Sequence, residues 1–64
     1  MKPRDKAIEE LHKNGYTKKP YGKKHDIYYN EETKCIIPLK RHDFDEDDLR
    51  YILREIKQNK ERGK

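Results

Sequence analysis

A histidine directly follows a glycine and two lysines in the segment Gly22-Lys23-Lys24-His25. Imidazole titrates at about pH 6.5, so it can accept the proton of a ribose 2′-hydroxyl or return one to a leaving 5′-oxygen. Neighbouring lysines offset the charge that develops on the phosphate. The segment therefore predicts acid–base chemistry at a phosphate with His25 as the catalytic residue, although an arbitrary histidine is more often an exposed structural residue.

A second group of cationic side chains and an imidazole, Lys40-Arg41-His42, follows Pro38. If this group ends one strand and His25 begins the antiparallel neighbour, the two lie side by side, because the start of one strand meets the end of the other. One phosphate then touches both groups. The alternative is an ordinary solvated connection before the next element.

Charge is distributed unevenly along the chain. The seventeen basic residues nearly balance the thirteen acidic ones. However, residues 13–24 contain five lysines and no acid, whereas residues 43–48 contain five acids and no base. Lysines interleaved with tyrosines suit a phosphate backbone with stacked bases, although a solvated strand and turn has the same composition. The predicted RNA-binding residues are Lys18, Lys19, Lys23, Lys24, Tyr28, Lys40, Arg41 and His42.

The apolar pattern predicts the elements that position these residues. Residues 3–14 carry a helical stripe that ends before a glycine, and Leu49, Ile52, Leu53 and Ile56 form a second stripe behind Asp45, a good N-cap. Between them, residues 16–21, 25–30 and 34–39 have strand composition and are separated by polar turns. The basic tail beyond the second stripe is expected to fray from about residue 58.

This order predicts an α+β fold of the double-stranded-RNA-binding type, α-β-β-β-α, with a three-stranded antiparallel sheet and two helices on one face. Sixty-four residues suffice for one small domain. The lone Cys35 reads as a core residue and, with the three histidines, has no recognised zinc-ligand spacing, so no metal or cofactor is expected. Apolar runs of at most three residues favour a cytoplasmic protein over a membrane or exported one.

Three motifs resemble HicA-family toxins, and the resemblance covers about residues 7–56. They are a helix ending in Asn14-Gly15-Tyr16, the His-x-aliphatic-aromatic segment His25-Asp26-Ile27-Tyr28, and a corner with proline and histidine, Pro38-Leu39-Lys40-Arg41-His42, before the last helix. Each motif alone is weak evidence, and it is the combination of their order and spacing that resembles the family. Many members have Gly-Ser or Gly-Gly before the histidine, where this chain has Lys23-Lys24.

The resemblance implies a metal-independent endoribonuclease that cleaves messenger RNA through the histidine at position 25 and is neutralised by a HicB-type antitoxin. We expect the antitoxin to cover the His25 region, because an anionic protein surface competes with phosphate for the same lysines. We also expect a preference for single-stranded RNA, since the cations gather at one corner. The alternative functions are a non-catalytic RNA-binding module and an interaction module that docks a basic partner on residues 43–48.

Overall fold

The computed structural model of the protein describes residues 2–62. Its elements are, in chain order, α1 (Pro3–Lys13), β1 (Tyr16–Lys18), β2 (His25–Asn30), β3 (Cys35–Lys40) and α2 (Glu46–Arg62). The strands form one antiparallel sheet in the order β1-β2-β3. The predicted α-β-β-β-α fold is thus confirmed.

Helix α1 begins and ends as the sequence predicts. Pro3 occupies the first turn, where its missing N–H leaves no helical hydrogen bond unmade, and Asp5 lies at the positive end of the helix dipole. Asn14 caps the C-terminus, and Gly15 follows with φ +87°, a left-handed conformation that favours glycine. The chain therefore reverses sharply from α1 into β1.

Helix α2 begins with the reciprocal cap that the sequence predicts. The Asp45 carboxylate accepts from the Asp48 amide, and the Asp48 carboxylate accepts from the Asp45 amide, each at 3.1 Å. The helix continues to Arg62, past the point from which the tail is expected to fray, and fraying of these last turns stays a prediction. Its last turns are held by Asn59, which is buried and donates to the Tyr16 hydroxyl at 3.1 Å.

Side chains alternate between the two faces of the sheet. Tyr28 and Ile37 are cross-strand partners on the inner face, which packs against both helices. The buried core consists of Ala7, Leu11, Tyr16, Tyr28, Ile37, Leu39, Ile52 and Ile56. The opposite face, called here the outer face, carries Thr17, His25, Ile27, Tyr29, Ile36, Pro38 and Lys40. No helix of the described chain covers it.

Strand β1 is shorter than predicted. It ends at Lys18, although a strand to residue 21 was expected, and one further backbone bond, from the Lys19 amide to the Ile27 carbonyl at 2.8 Å, continues the pairing. Pro20 then interrupts the ladder because it has no N–H to donate. The connection to β2 is accordingly a loop of residues 19–24.

Neither helix in residues 2–62 combines the length and the apolar character that crossing a membrane requires.

Candidate functional site

The two groups of candidate residues meet at one end of the sheet. His25, the first residue of β2, is the cross-strand partner of Lys40, the last residue of β3. The predicted proximity of these segments is therefore confirmed. We call residues 22–26 and 40–42 together the His25 corner.

The His25 side chain is accessible to a ligand. It is exposed on the outer face and lines an open cavity of about 220 Å³. The opposite wall of this cavity comes from the start of α2 and the preceding loop, through Phe44, Asp48 and Tyr51. The imidazole therefore borders a space that a ligand group can enter from solvent.

The turn before His25 presents unused donors. Lys23 and Lys24 are exposed, and neither ammonium forms an ion pair within residues 2–62. In the same part of the chain, the amides of Gly22, Lys23 and Lys24 donate to no backbone carbonyl. Free amides and lysines in one turn suit an anion such as phosphate.

Arg41 fixes the shape of this turn. Its Nη1 donates to the Lys23 carbonyl at 2.8 Å, its Nη2 to the Gly22 carbonyl at 3.0 Å, and its Nε to the Asp26 carboxylate at 2.9 Å. All three guanidinium nitrogens are thus engaged within the protein. We interpret Arg41 as a positioning residue for the turn, and direct contact with RNA stays a prediction.

Asp26 is the centre of a charge network that the sequence analysis did not single out. Its carboxylate is nearly buried and accepts from Arg41 and from Arg4 of α1, while the Lys18 ammonium lies 3.9 Å away. Arg4 also donates through Nε to the Lys40 carbonyl at 2.9 Å. The sequence did contain a signal for this network, because Asp26 falls at an inward-facing position of a strand, where a carboxylate requires cationic partners.

The network lowers the pKa of Asp26. Burial of the carboxyl raises the pKa, but the hydrogen bonds from Arg41 and Arg4 and the charge of Lys18 outweigh it, so the net pKa lies below the ordinary value of 3.8. A carboxyl whose pKa is lowered by folding stabilises the fold above its unfolded-state pKa. That contribution is lost as the pH falls through the folded-state pKa.

We therefore expect Asp26→Asn to be less stable than the wild type at neutral pH, with the difference constant down to about pH 5 and shrinking at lower pH. Urea unfolding at a series of pH values measures this difference. Asp47→Asn removes an exposed carboxylate of α2 and serves as the matched control, with a change within about 0.5 kcal/mol. A wild-type advantage that persists unchanged at about pH 2 contradicts the role of the ionised carboxylate.

Lys40 is engaged on the α2 side of the corner. Its ammonium lies 3.4 Å from the Asp48 carboxylate and donates to the Asp43 carbonyl at 3.2 Å. The pKa of Asp48 is lowered, first by the hydrogen bond from the Asp45 amide and then by Lys40. Lys40 consequently neutralises an acid that would otherwise repel a phosphate near His25.

The remaining predicted RNA-binding residues are dispersed. Tyr28 is only 4% exposed and packs in the core, where burial raises the pKa of its hydroxyl, so its placement does not suit the predicted base-stacking role. Lys18 lies on the inner side beside Asp26, whereas Lys19 lies over the Tyr29 ring, 5.4 Å from its centroid. His42 is exposed just beyond β3.

A larger cleft of about 560 Å³ lies at the other end of the sheet, far from His25. Its walls include Asn30, Thr33 and Lys60 but no histidine or cysteine. Among residues 2–62, no three His, Cys, Asp or Glu side chains are grouped closely enough to hold a metal ion. The His25 corner is therefore the stronger candidate for a chemically active site.

Comparison with known proteins does not assign the chain to a family. No family model matches it, and no curated protein or solved structure shows significant similarity to it.

Proposed function

We propose that this chain binds RNA at the His25 corner and cleaves it there without a metal ion. The observation that supports this most directly is the pairing of His25 with Lys40, which brings residues 40–42 next to the exposed imidazole and the cationic turn that precedes it. One phosphate at the turn would lie next to a group able to move protons near neutral pH. The resemblance to HicA toxins adds to this argument.

The reaction would be a transesterification within the RNA strand. His25 removes the proton of a 2′-hydroxyl, the 2′-oxygen attacks the adjacent phosphorus, and the bond from phosphorus to the 5′-oxygen breaks. The departing 5′-oxygen takes a proton from water, and the His25 imidazolium returns its proton to solvent, which leaves a 2′,3′-cyclic phosphate and a 5′-hydroxyl. Lys23, Lys24 and the free amides of the turn would bind the non-bridging oxygens, whose charge grows in the transition state.

The proposal extends to the biological setting that the resemblance implies. The substrate would be messenger RNA in the cytoplasm, and a HicB-type antitoxin would inhibit by covering the His25 corner. The exposed ammoniums of Lys23 and Lys24 are the groups such a partner would contact. Direct occlusion is favoured over a remote effect because phosphate and an anionic protein surface need the same donors.

The second candidate function is RNA binding without cleavage. Its support is that Arg41 and Lys40 are both engaged with protein acceptors, so the cationic groups left to stabilise a transition state are the lysines of the turn. Binding of this kind would weaken steeply with salt, because it depends on released counterions.

A chimeric oligonucleotide distinguishes the two functions. We expect a deoxyoligonucleotide with one internal ribonucleotide to be cut only on the 3′ side of that ribose, with a cyclic phosphate product, while the all-deoxy control is bound and stays intact. Mass spectrometry of the products makes the measurement. Binding of both oligomers with no product after long incubation would support the non-catalytic function. Cleavage of the all-deoxy oligomer would exclude attack by the 2′-hydroxyl.

A further inference from the structure

The outer face of the sheet includes His25, and among the described residues only the start of α2 and the preceding loop border it, at the cavity beside His25. Cross-strand pairing arranges its side chains in rows: Thr17, Tyr29 and Ile36 form one row, Ile27 and Pro38 the next, and His25 with Lys40 the last. Successive rows lie about 7 Å apart, because side chains on one face recur every second residue. The outer face therefore presents regularly spaced rows of side chains that begin at the His25 corner and continue along the strands.

This surface is apolar where a soluble sheet face is usually polar. Ile36 is 52% exposed although it lies in the middle of β3, and Ile27, Tyr29 and Pro38 are at least partly exposed beside it. None of these residues belongs to the buried core. An apolar patch kept at the surface of so small a domain indicates a binding surface.

The charged side chains of the outer face itself are all basic, and acids lie only beside it, with Glu31 3.9 Å from Lys19 and Asp48 3.4 Å from Lys40. No residue of the outer face is acidic, because Asp26 points to the inner side. Lys40 lies at one end of the face, and the Lys19 ammonium lies over the Tyr29 ring. Lys23 and Lys24 stand in the turn beside it. An apolar and aromatic surface bordered by cations complements unpaired nucleobases joined by phosphates.

We propose that the outer face binds the unpaired bases of the RNA strand whose phosphate lies at the His25 corner, with one base stacked on Tyr29 and its neighbour on Ile27 and Pro38. This inference rests on the proposed RNA binding and adds the part of the substrate that is recognised. The row spacing is comparable to the separation of successive nucleotides in an extended strand. A base-paired strand has no free base faces to offer, so the surface selects single-stranded RNA.

An abasic oligomer tests the stacking without altering the protein. The probe is a single-stranded 2′-O-methyl octanucleotide, which lacks the attacking hydroxyl, compared with one that has the same phosphates and abasic central positions. We expect wild-type affinity to fall roughly fivefold to 100-fold on base removal, as for one stacked base or more. The Tyr29→Leu variant should already bind the intact oligomer correspondingly weakly and should lose little more on base removal, whereas Tyr29→Phe should behave as wild type.

Alanine variants of two exposed aliphatic residues test whether the outer face is the surface that binds the bases. Ile36→Ala should also weaken binding of the intact oligomer, while Leu53→Ala, an exposed aliphatic side chain on α2, should not. Equal wild-type affinity for both oligomers would overturn the stacking proposal, and if the chimeric oligonucleotide were still cut, cleavage at His25 would stand without it. No binding of either oligomer would overturn both proposals. Wild-type self-association that Ile36→Ala abolishes and the oligomer does not compete with would instead assign the face to a second copy.

Discussion

Replacing His25 with alanine is expected to lower the rate of RNA cleavage by about 10²-fold to 10⁴-fold, the range that a positioned general acid or base contributes. The protein should remain folded, because the side chain is exposed and surface substitutions usually change the free energy of unfolding by less than about 0.5 kcal/mol. RNA binding should persist through the turn lysines. The loss should therefore appear in the single-turnover rate and not in the dissociation constant.

The chain provides two internal controls for this experiment. His12 is remote from the corner on α1, with its ring 6.0 Å from that of Tyr28, so His12→Ala should leave the cleavage rate unchanged. His42 lies within the corner and is exposed, so His42→Ala should weaken RNA binding more than it slows the chemical step. A His25→Ala protein that cleaves at the wild-type rate would remove the basis for assigning catalysis to this residue.

Local sequence signals were sufficient for much of the fold. The glycine after α1, the reciprocal Asp45–Asp48 cap and the apolar stripe of α2 act over a few residues, and each has a direct structural counterpart. The pairing of β2 with β3 followed from one short turn between two strand-like segments. For the same reason, the sequence alone placed His25 beside Lys40.

Long-range pairs account for what the sequence did not predict. Asn59, near the end of α2, donates to the hydroxyl of Tyr16, a residue far away in the chain, and no local propensity indicates such a contact. The Tyr28 ring was expected to meet RNA because aromatic residues suit both cores and stacking surfaces. Only the register decides between these roles, and it places Tyr28 inward and Tyr29 outward.

The charge network at the corner was also not predicted, because it joins residues that are far apart in the chain. Arg41 was selected as a phosphate ligand because arginine commonly binds phosphate. Arg41 directly follows β3, its partner Asp26 lies on β2, and Arg4, the second cation on that carboxylate, lies on α1. The network exists only when three elements meet, so it emerges from the tertiary structure. It assigns Arg41 and Asp26 to holding the turn that carries Lys23 and Lys24.

The second substitution with a large expected effect is at Gly22, because no other residue fits there without moving the turn before His25. Gly22 has φ +139°, and a Cβ atom there would lie 2.5 Å from the His25 carbonyl oxygen and 3.0 Å from Cγ1 of Ile27. The first contact is with backbone, which cannot move aside as a flexible side chain can. Gly22→Ala must therefore change the path of the chain just before His25.

We expect Gly22→Ala to lower the free energy of unfolding by about 1–3 kcal/mol, the cost of a strained backbone conformation. The two carbonyl acceptors of Arg41 would shift with the turn, and the imidazole would move relative to a bound phosphate. A displacement of about 1 Å at a reacting group commonly costs about 10²-fold in rate. The cleavage rate should thus fall by about this factor even at a temperature where the variant is fully folded, so that unfolding does not account for the loss.

Gly15→Ala is the matched control because it separates backbone strain from damage to the corner. Gly15 also has positive φ, +87°, but a Cβ atom there meets nothing closer than the Asn30 side chain at 3.5 Å, an ordinary contact. Its substitution should cost about 1–2 kcal/mol of stability and leave the cleavage rate of the folded protein unchanged. Urea unfolding and single-turnover cleavage of both variants make the comparison. Equal rates for Gly22→Ala and Gly15→Ala would show that the turn geometry does not position His25 for catalysis, whereas a selective loss in Gly22→Ala ties the conformation of this one residue to the chemistry.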